Sequence, residues 1–203
     1  DGATAAQLVA SMDGDGFRFT HDKIREVLVK ELNPIRRRRL HRRVGEGLER
    51  LYGARNGSKA QVLAYHFCQS GDLERTLAYS LQAAANAEHL YAHDEALGYL
   101  RQARETAEEL GRADDVTQTD IRIGDVYLSR GEMYQAVEAF ERALAATPAR
   151  SAQAALRVRI GIAYCSVGDA SGLAYLQQAL ADLDAATQLK ELAQAKAAIG
   201  RFH

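Results

Sequence analysis

The segment 117–150, TQTDIRIGDVYLSRGEMYQAVEAFERALAATPAR, constrains the fold of this 203-residue chain more than any other part of it. Gly124 is small enough to let a second helix approach closely, and the aromatic side chains of Tyr127 and Phe140 would fill the space between the two helices. Pro148 would end the second helix, because proline has no N–H to donate and disfavours helix in the residue before it. We therefore expect two antiparallel helices joined by a short turn.

The spacing of these residues resembles that of the tetratricopeptide repeat (TPR), a helix–turn–helix unit of about 34 residues. The residues that carry this match are Ile123, Gly124, Tyr127, Gly131, Ala136, Phe140, Ala143 and Pro148. One such hairpin cannot bury its apolar faces alone and needs neighbours stacked on both sides. The pattern therefore predicts a solenoid, and a solenoid indicates a binding surface more often than an active site.

Further copies of the repeat appear when segment 117–150 is compared with the rest of the chain. One copy lies N-terminal to this segment: at one constant offset, its residues Leu63, Ala64, Phe67 and Gly71 match Ile123, Gly124, Tyr127 and Gly131. A second copy lies C-terminal to it: at another offset, its residues Ile160, Gly161 and Tyr164 match Ile123, Gly124 and Tyr127. We therefore predict an all-α fold, a right-handed superhelix of TPR-like hairpins. Part of the array is predicted to be less regular, with a single long helix over 73–92 that takes the place of two shorter ones. A second helix would run over 94–110, capped by Asp94 and ended by Gly111. A polar connector would follow over 112–117.

The N-terminal quarter of the chain has a different pattern. Segment 17–19 alternates apolar and polar residues like a short strand, after a turn at 14–16. A helix is predicted from about residue 20 to Asn33-Pro34, and a second one to about Tyr52 with a stripe of Leu40, Val44, Leu48 and Leu51. The predicted organisation is a winged-helix-like remnant of a preceding domain (1–19), a helical hairpin with an Arg-rich helix (20–57) and a TPR-like solenoid (58–203). Since the sequence starts at Asp1 and stops inside a helical pattern, we expect it to be a piece of a longer protein.

The order of three segments resembles the region after the nucleotide-binding module of STAND-class signalling ATPases, such as large LuxR-type regulators. The segments are FRFTHDKIREVL (17–28), PIRRRRLHRRVGEGLERL (34–51) and AQVLAYHFCQSGDLERTLAYSLQAAANA (60–87). The resemblance implies the sensor of an ATP-dependent switch, which receives an inducer or a partner protein. No GxxxxGK[ST] loop occurs in this sequence, so the ATPase of such a protein would lie upstream, and this chain should not hydrolyse ATP. The alternative is a stand-alone TPR scaffold for protein–protein interaction.

Charge and composition narrow the possible partners. The formal net charge is −1, and no apolar run approaches the roughly 20 residues that span a bilayer. Although the chain as a whole is nearly neutral, it contains a basic patch of six arginines in eight residues: Arg36, Arg37, Arg38, Arg39, Arg42 and Arg43. Guanidinium groups suit phosphate or an acidic partner, although the same residues could form a solvated or interdomain helix face. Nucleic acid is disfavoured, because no aromatic residues interleave with the arginines.

The sequence offers no catalytic or cofactor motif, and we predict a non-enzyme with no bound metal or cofactor. His89 and His93 stand four residues apart and could reach one metal ion on a helix, but Leu90 stands where the zincin pattern needs glutamate. Cys68 and Cys165 are expected to be reduced and largely buried, as in a cytoplasmic protein.

The remaining candidate site is the concave face of the array, which the first helix of each hairpin lines in TPR proteins. The residues predicted to lie there are Gln61, Tyr65, Gln69, Gln118, Ile121, Asp125, Ser129, Val158, Ile162 and Ser166. This surface lacks the Lys and Asn clamp with which chaperone-tail TPR domains hold a carboxylate. A helical or extended peptide, another subunit or a small inducer remain open as ligands, and the face could also only pack on other domains of the same chain.

Overall fold

The computed structural model describes residues 9–11, 17–21, 27, 31–52, 59–183 and 188–202, and within them the chain is almost entirely helical. Two short strands, β1 (Val9–Ser11) and β2 (Phe17–Phe19), form an antiparallel pair in which Val9 lies opposite Phe19. The strand predicted at 17–19 is therefore confirmed. The predicted turn at 14–16 and most of the helix predicted after residue 20 lie outside the described residues.

The described helices follow one another with short turns between most of them. They are α1 (Pro34–Tyr52), α2 (Ala60–Ser70), α3 (Leu73–His89), α4 (His93–Glu109), α5 (Ala113–Arg130), α6 (Met133–Ala146), α7 (Arg150–Ser166), α8 (Ser171–Asp182) and α9 (Leu189–Phe202).

Each helix packs on the next one along the chain, and α9 packs on both α7 and α8. The buried side chains form several local clusters that succeed one another along the array, one of them between α3, α4, α5 and α6 and another between α7, α8 and α9. Residues 59–183, which are described without a gap, contain no strand. This is the arrangement of a repeat array, in which each unit contacts only its neighbours, and it confirms the all-α, TPR-like fold class.

Small residues set the close approach of the paired helices. A Cβ atom added to Gly124 on α5 would lie 2.4 Å from Cε1 of Phe140 on α6, and one added to Gly161 on α7 would lie 2.6 Å from Cγ of Leu176 on α8. Both facing side chains are fully buried. The prediction that a small residue at position 124 permits the helix crossing is confirmed, and the same device recurs one repeat later.

One turn type recurs along the array at equal intervals. Gly71, Tyr91, Gly111 and Gly131 each follow a helix with a positive φ, of 75°, 56°, 69° and 79°. In each turn the N–H of this residue donates to a carbonyl three residues back, and the next N–H donates to one five residues back. Glycine adopts this left-handed conformation without strain, whereas Tyr91 is the one non-glycine residue with positive φ in the described part of the chain.

This turn explains where the expected boundaries differ from the structure. The helix predicted over 73–92 ends at His89, because the left-handed turn at Tyr91 stops it. The polar connector predicted over 112–117 is wrong, since residues from Ala113 onward form the first turns of α5. The Asp94 cap is also wrong: Ala92 precedes α4, and the carboxylate of Asp94 instead pairs with Arg130 at the end of the next helix, α5.

A buried carboxylate ties three helices together. Asp120 on α5 is 3% exposed, and its Oδ1 lies 3.1 Å from Nε of Arg104 on α4 and 2.9 Å from Nη2 of Arg142 on α6. A buried charge is tolerated when it is paired and hydrogen-bonded in this way.

The two cysteines differ in their environments. Cys165 is partly buried, and burial raises the pKa of its thiol. Cys68 is exposed, so the prediction of burial is wrong for this residue. The reason is its place on α2, where the neighbouring Phe67 takes the buried side of the helix.

Candidate ligand groove on the inner face

One cleft in the described surface lies between α5, α7 and α9. It is a cleft of about 520 Å³ with apolar and polar residues in its wall. The apolar side chains are those of Ile121, Leu128, Leu156 and Ile162, and the charged ones are those of Asp125, Arg159, Lys190 and Glu191. Ligand sites commonly combine an apolar lining with a few placed polar groups in this way.

Two further clefts adjoin this one. A cleft of about 260 Å³ shares Asp125 with it and reaches Glu88, His93 and Arg122. A third, of about 510 Å³, shares Ile162 and reaches Arg201 and Phe202 at the end of α9. Neighbouring clefts share a wall residue, and we refer to the three clefts together as the inner groove.

Asp125 lies where the large and the small cleft meet. Its Oδ2 accepts a hydrogen bond from Nη1 of Arg159 at 3.1 Å. Burial raises the pKa of the Asp125 carboxyl and nearby Glu88 adds to this, while Arg159 and Lys190 oppose the shift. The raising effects of burial and Glu88 therefore exceed the lowering effects of Arg159 and Lys190 at this half-exposed carboxyl.

The small cleft contains both paired and unpaired polar groups. Nη2 of Arg122 donates to Oε1 of Glu88 at 3.0 Å, and Nη1 of the same guanidinium lies 3.5 Å from the carbonyl oxygen of Leu81. Nδ1 of His93 is buried and has no hydrogen-bond partner. Tyr91, with its left-handed backbone and 80% exposed side chain, stands at the edge of this cleft.

The structure brings together most, but not all, of the residues that the sequence places on the concave face. Gln118, Ile121, Asp125 and Ile162 line the large cleft. Ser129 joins Asp125 in the small cleft, and Ser166 joins Ile162 in the third.

The remaining predicted residues lie elsewhere. Gln61, Tyr65 and Gln69 are exposed on α2 but line none of the three clefts. Val158 is buried against α8 and α9, so its place on the concave face is wrong; α9 covers the side of α7 that carries it.

Sequence reasoning missed the groove residues Glu88, Arg122, Arg159, Lys190 and Glu191. One signal could have found Arg122 and Arg159 together, because the offset that relates Ile123 to Ile160 also relates these two arginines. The groove residues on α9 could be placed only once that helix was known to pack on α7.

The basic patch lies on α1, at the other end of the array. Arg36, Arg38, Arg39, Arg42 and Arg43 are exposed, and Arg37 is half-buried. The side of α1 that faces α2 is not the leucine–valine stripe but the side of Gly45, where an added Cβ would lie 2.8 Å from the Phe67 ring.

A histidine pair closes the same interface. Nδ1 of His41 on α1 lies 3.1 Å from Nδ1 of His66 on α2. Burial lowers the pKa of both imidazoles; Arg37 adds to the effect at His41, and His41 adds to it at His66. At most one of the two facing nitrogens can carry a proton while this contact is kept.

Among the described residues, no group of three His, Cys, Asp or Glu side chains could hold a metal ion. None of the described helices has the length and apolar character needed to cross a membrane.

Comparison with known proteins supports the fold. No protein-family model matches the sequence, and no curated protein matches it significantly. Among solved structures, the chain is similar to aspartyl phosphate phosphatase F from Bacillus subtilis, with a TM-score of 0.59 and 16% identity over 89% of this chain and 52% of that one. It is also similar to BtubC (BKLC) from P. vanneervenii, with a TM-score of 0.53 and 16% identity over 85% of this chain and 86% of that one.

Both similar structures are helical repeat proteins, and at this identity the likeness is one of fold alone. The chain spans about half the length of the phosphatase structure.

Proposed function

We propose that this chain is a non-catalytic binding module and that its inner groove holds a peptide segment of a partner protein. The observation that carries the proposal is that three open clefts share the wall residues Asp125 and Ile162. Neighbouring open clefts fit an extended or helical segment better than a compact small inducer, which prefers an enclosed pocket.

The lining of the groove favours recognition over chemistry. Two of its carboxylates are each engaged by an arginine, Asp125 by Arg159 and Glu88 by Arg122. Apolar side chains flank Asp125 along α5 and Arg159 along α7, so a bound segment would need both apolar and polar residues. The carboxylate of Asp125, which lines two of the clefts, favours a segment with a basic side chain near the middle.

At a finer level, we propose that the module is the sensor of a larger STAND-type signalling ATPase, such as a transcriptional regulator of the LuxR type. The resemblance at 17–51 and the helical array that follows it support this parent. The test is the reading frame around the chain: a GxxxxGK[ST] loop upstream supports a STAND parent, and a complete reading frame without one rules it out. The stand-alone scaffold is then the better description, and the groove proposal is unaffected.

The groove itself can be tested without knowing the natural partner. The purified chain is used to select from a displayed library of random linear peptides, and binding of the selected peptides is measured by fluorescence anisotropy. We expect Asp125→Lys to weaken the binding of the selected peptides at least tenfold, because it reverses the charge of a residue that lines two clefts.

Asp114→Lys is the matched control, since Asp114 is an exposed aspartate on the same helix but lines none of the three clefts. The Asp114→Lys variant should bind the selected peptides with an affinity within twofold of that of the unaltered chain. A library that yields no binder, or binders that Asp125→Lys and Asp114→Lys affect equally, would contradict the proposal.

A further inference from the structure

The outer face of α1 carries an apolar seam with the spacing of a coiled coil. Leu40, Val44 and Leu51 are 45%, 36% and 73% exposed, and they succeed one another at intervals of four and seven residues. Gly47 fills the intermediate position, and a Cβ added there would meet no atom within 4 Å. Alternating steps of three and four residues place such a seam along one line of a helix.

A row of arginines follows one edge of this seam. Arg36, Arg43 and Arg50 are seven residues apart, so they occupy the same heptad position next to the leucines. All three are exposed, and none of them forms an ion pair within the described part of the chain. The opposite edge of the seam faces α2, where His41 meets His66. The seam is therefore open on the side of the arginines only.

We propose that this face of α1 docks a helix of a partner protein. The apolar residues of that helix pack on Leu40, Val44 and Leu51. Its acidic residues, repeated every seven positions along one edge, pair with the arginine row. In coiled coils the apolar seam provides affinity, and the charges at its edges select the partner and its orientation.

The charges of α1 exclude the nearest competing occupants. A second copy of this chain would bring another arginine row toward this one, with no acid in the seam or along its edge. Nucleic acid offers phosphates to the arginines but nothing to the apolar seam. An anionic membrane could meet both features, and it is therefore an arm of the test.

The test uses two designed four-heptad helical peptides with leucine at the seam positions. One carries glutamate at both edge positions of every heptad, and the other carries lysine there. Binding to the full chain is measured by fluorescence anisotropy at low and at high NaCl concentration. We expect the acidic peptide to bind at least tenfold more tightly than the basic one at low salt, and we expect the difference to shrink at high salt.

Charge reversal gives a matched pair of variants on the same helix. Arg43→Glu with Arg50→Glu should reverse the preference between the two peptides. Arg38→Glu with Arg42→Glu makes the same change in charge away from the seam, and it should leave the preference intact. Circular dichroism spectra of both variants check that the helices are retained.

Three results would overturn the proposal. The first is equal binding of the acidic and basic peptides, or none of either. The second is an equal effect of the two double variants. The third is sedimentation of the chain with mixed phosphatidylcholine and phosphatidylserine vesicles that is lost in the Arg43→Glu, Arg50→Glu variant, while the acidic peptide does not compete with the vesicles.

Discussion

The packing of Gly124 against Phe140 gives the sharpest test of the helix crossing. In Gly124→Ala the new methyl group would lie 2.4 Å from one ring carbon of Phe140 and 2.7 Å from two others. Real Cβ atoms do not approach this closely, so either the fully buried ring or helix α6 must move. Overpacking of a core costs about 1–3 kcal/mol, and the gain from replacing a helical glycine offsets about 0.5–1 kcal/mol of it. We expect a net loss of roughly 1–2 kcal/mol in the free energy of unfolding.

Urea denaturation followed by circular dichroism measures this loss, and thermal melting should show a fall of about 2–4 °C for each kcal/mol. Gly98→Ala is the matched control, because Gly98 lies within α4 and an added Cβ there meets no atom within 4 Å. That variant should be more stable than the natural chain by about 0.5–1 kcal/mol.

A double-mutant cycle identifies the contact itself. Phe140→Leu shortens the facing side chain, so combining it with Gly124→Ala should cost less than the two single changes added together, by about 1 kcal/mol or more, which is the coupling expected for residues in contact. If Gly124→Ala is as stable as the natural chain, or if the two changes are additive, the close approach of α5 and α6 is not as described.

Three further predictions concern stability. Tyr91→Gly should stabilise the chain by about 1 kcal/mol and Gly111→Ala should destabilise it by a similar amount, because both residues have positive φ; equal melting temperatures would contradict this. The free energy of unfolding should fall as the pH drops below 6.5, the ordinary pKa of histidine, because the lowered pKa values of His41 and His66 mean that the unfolded chain binds more protons in that range; a His66→Gln variant that keeps the full slope would refute the assignment. Asp120→Ala should cost about 2–3 kcal/mol, since it removes a buried carboxylate shared by two arginines that themselves reach solvent, and an unchanged midpoint in urea denaturation would exclude that role.

The repeat pattern predicts the fold well because its signals are local. A glycine facing a phenylalanine across a hairpin, as Gly124 faces Phe140, sets the crossing of the two helices. The irregular stretch between Gly71 and Gly131 is predicted less well. There a tyrosine occupies a position where the neighbouring turns have glycine, so the turn at Tyr91 carries no recognisable signal.

The sequence predicts the candidate site in outline but not its charges. Asp125 and Ile162 follow from the repeat register, whereas Lys190 enters the groove only because α9 packs on α7.

The side of α1 that faces its neighbour also could not be inferred from hydrophobicity. Gly45 and His41 lie against α2, and the more apolar stripe of Leu40, Val44 and Leu51 lies outside. The side of this helix that is covered is the one on which a glycine allows close approach. Counting apolar residues cannot identify that side.

The most direct test of the inner groove is a crystal structure of the chain with a library-selected peptide. We expect a peptide that runs along α5, α7 and α9 and contacts both Asp125 and Ile162. A peptide bound elsewhere, or one confined to a single cleft without reaching both residues, would contradict the assignment of the groove as the binding site.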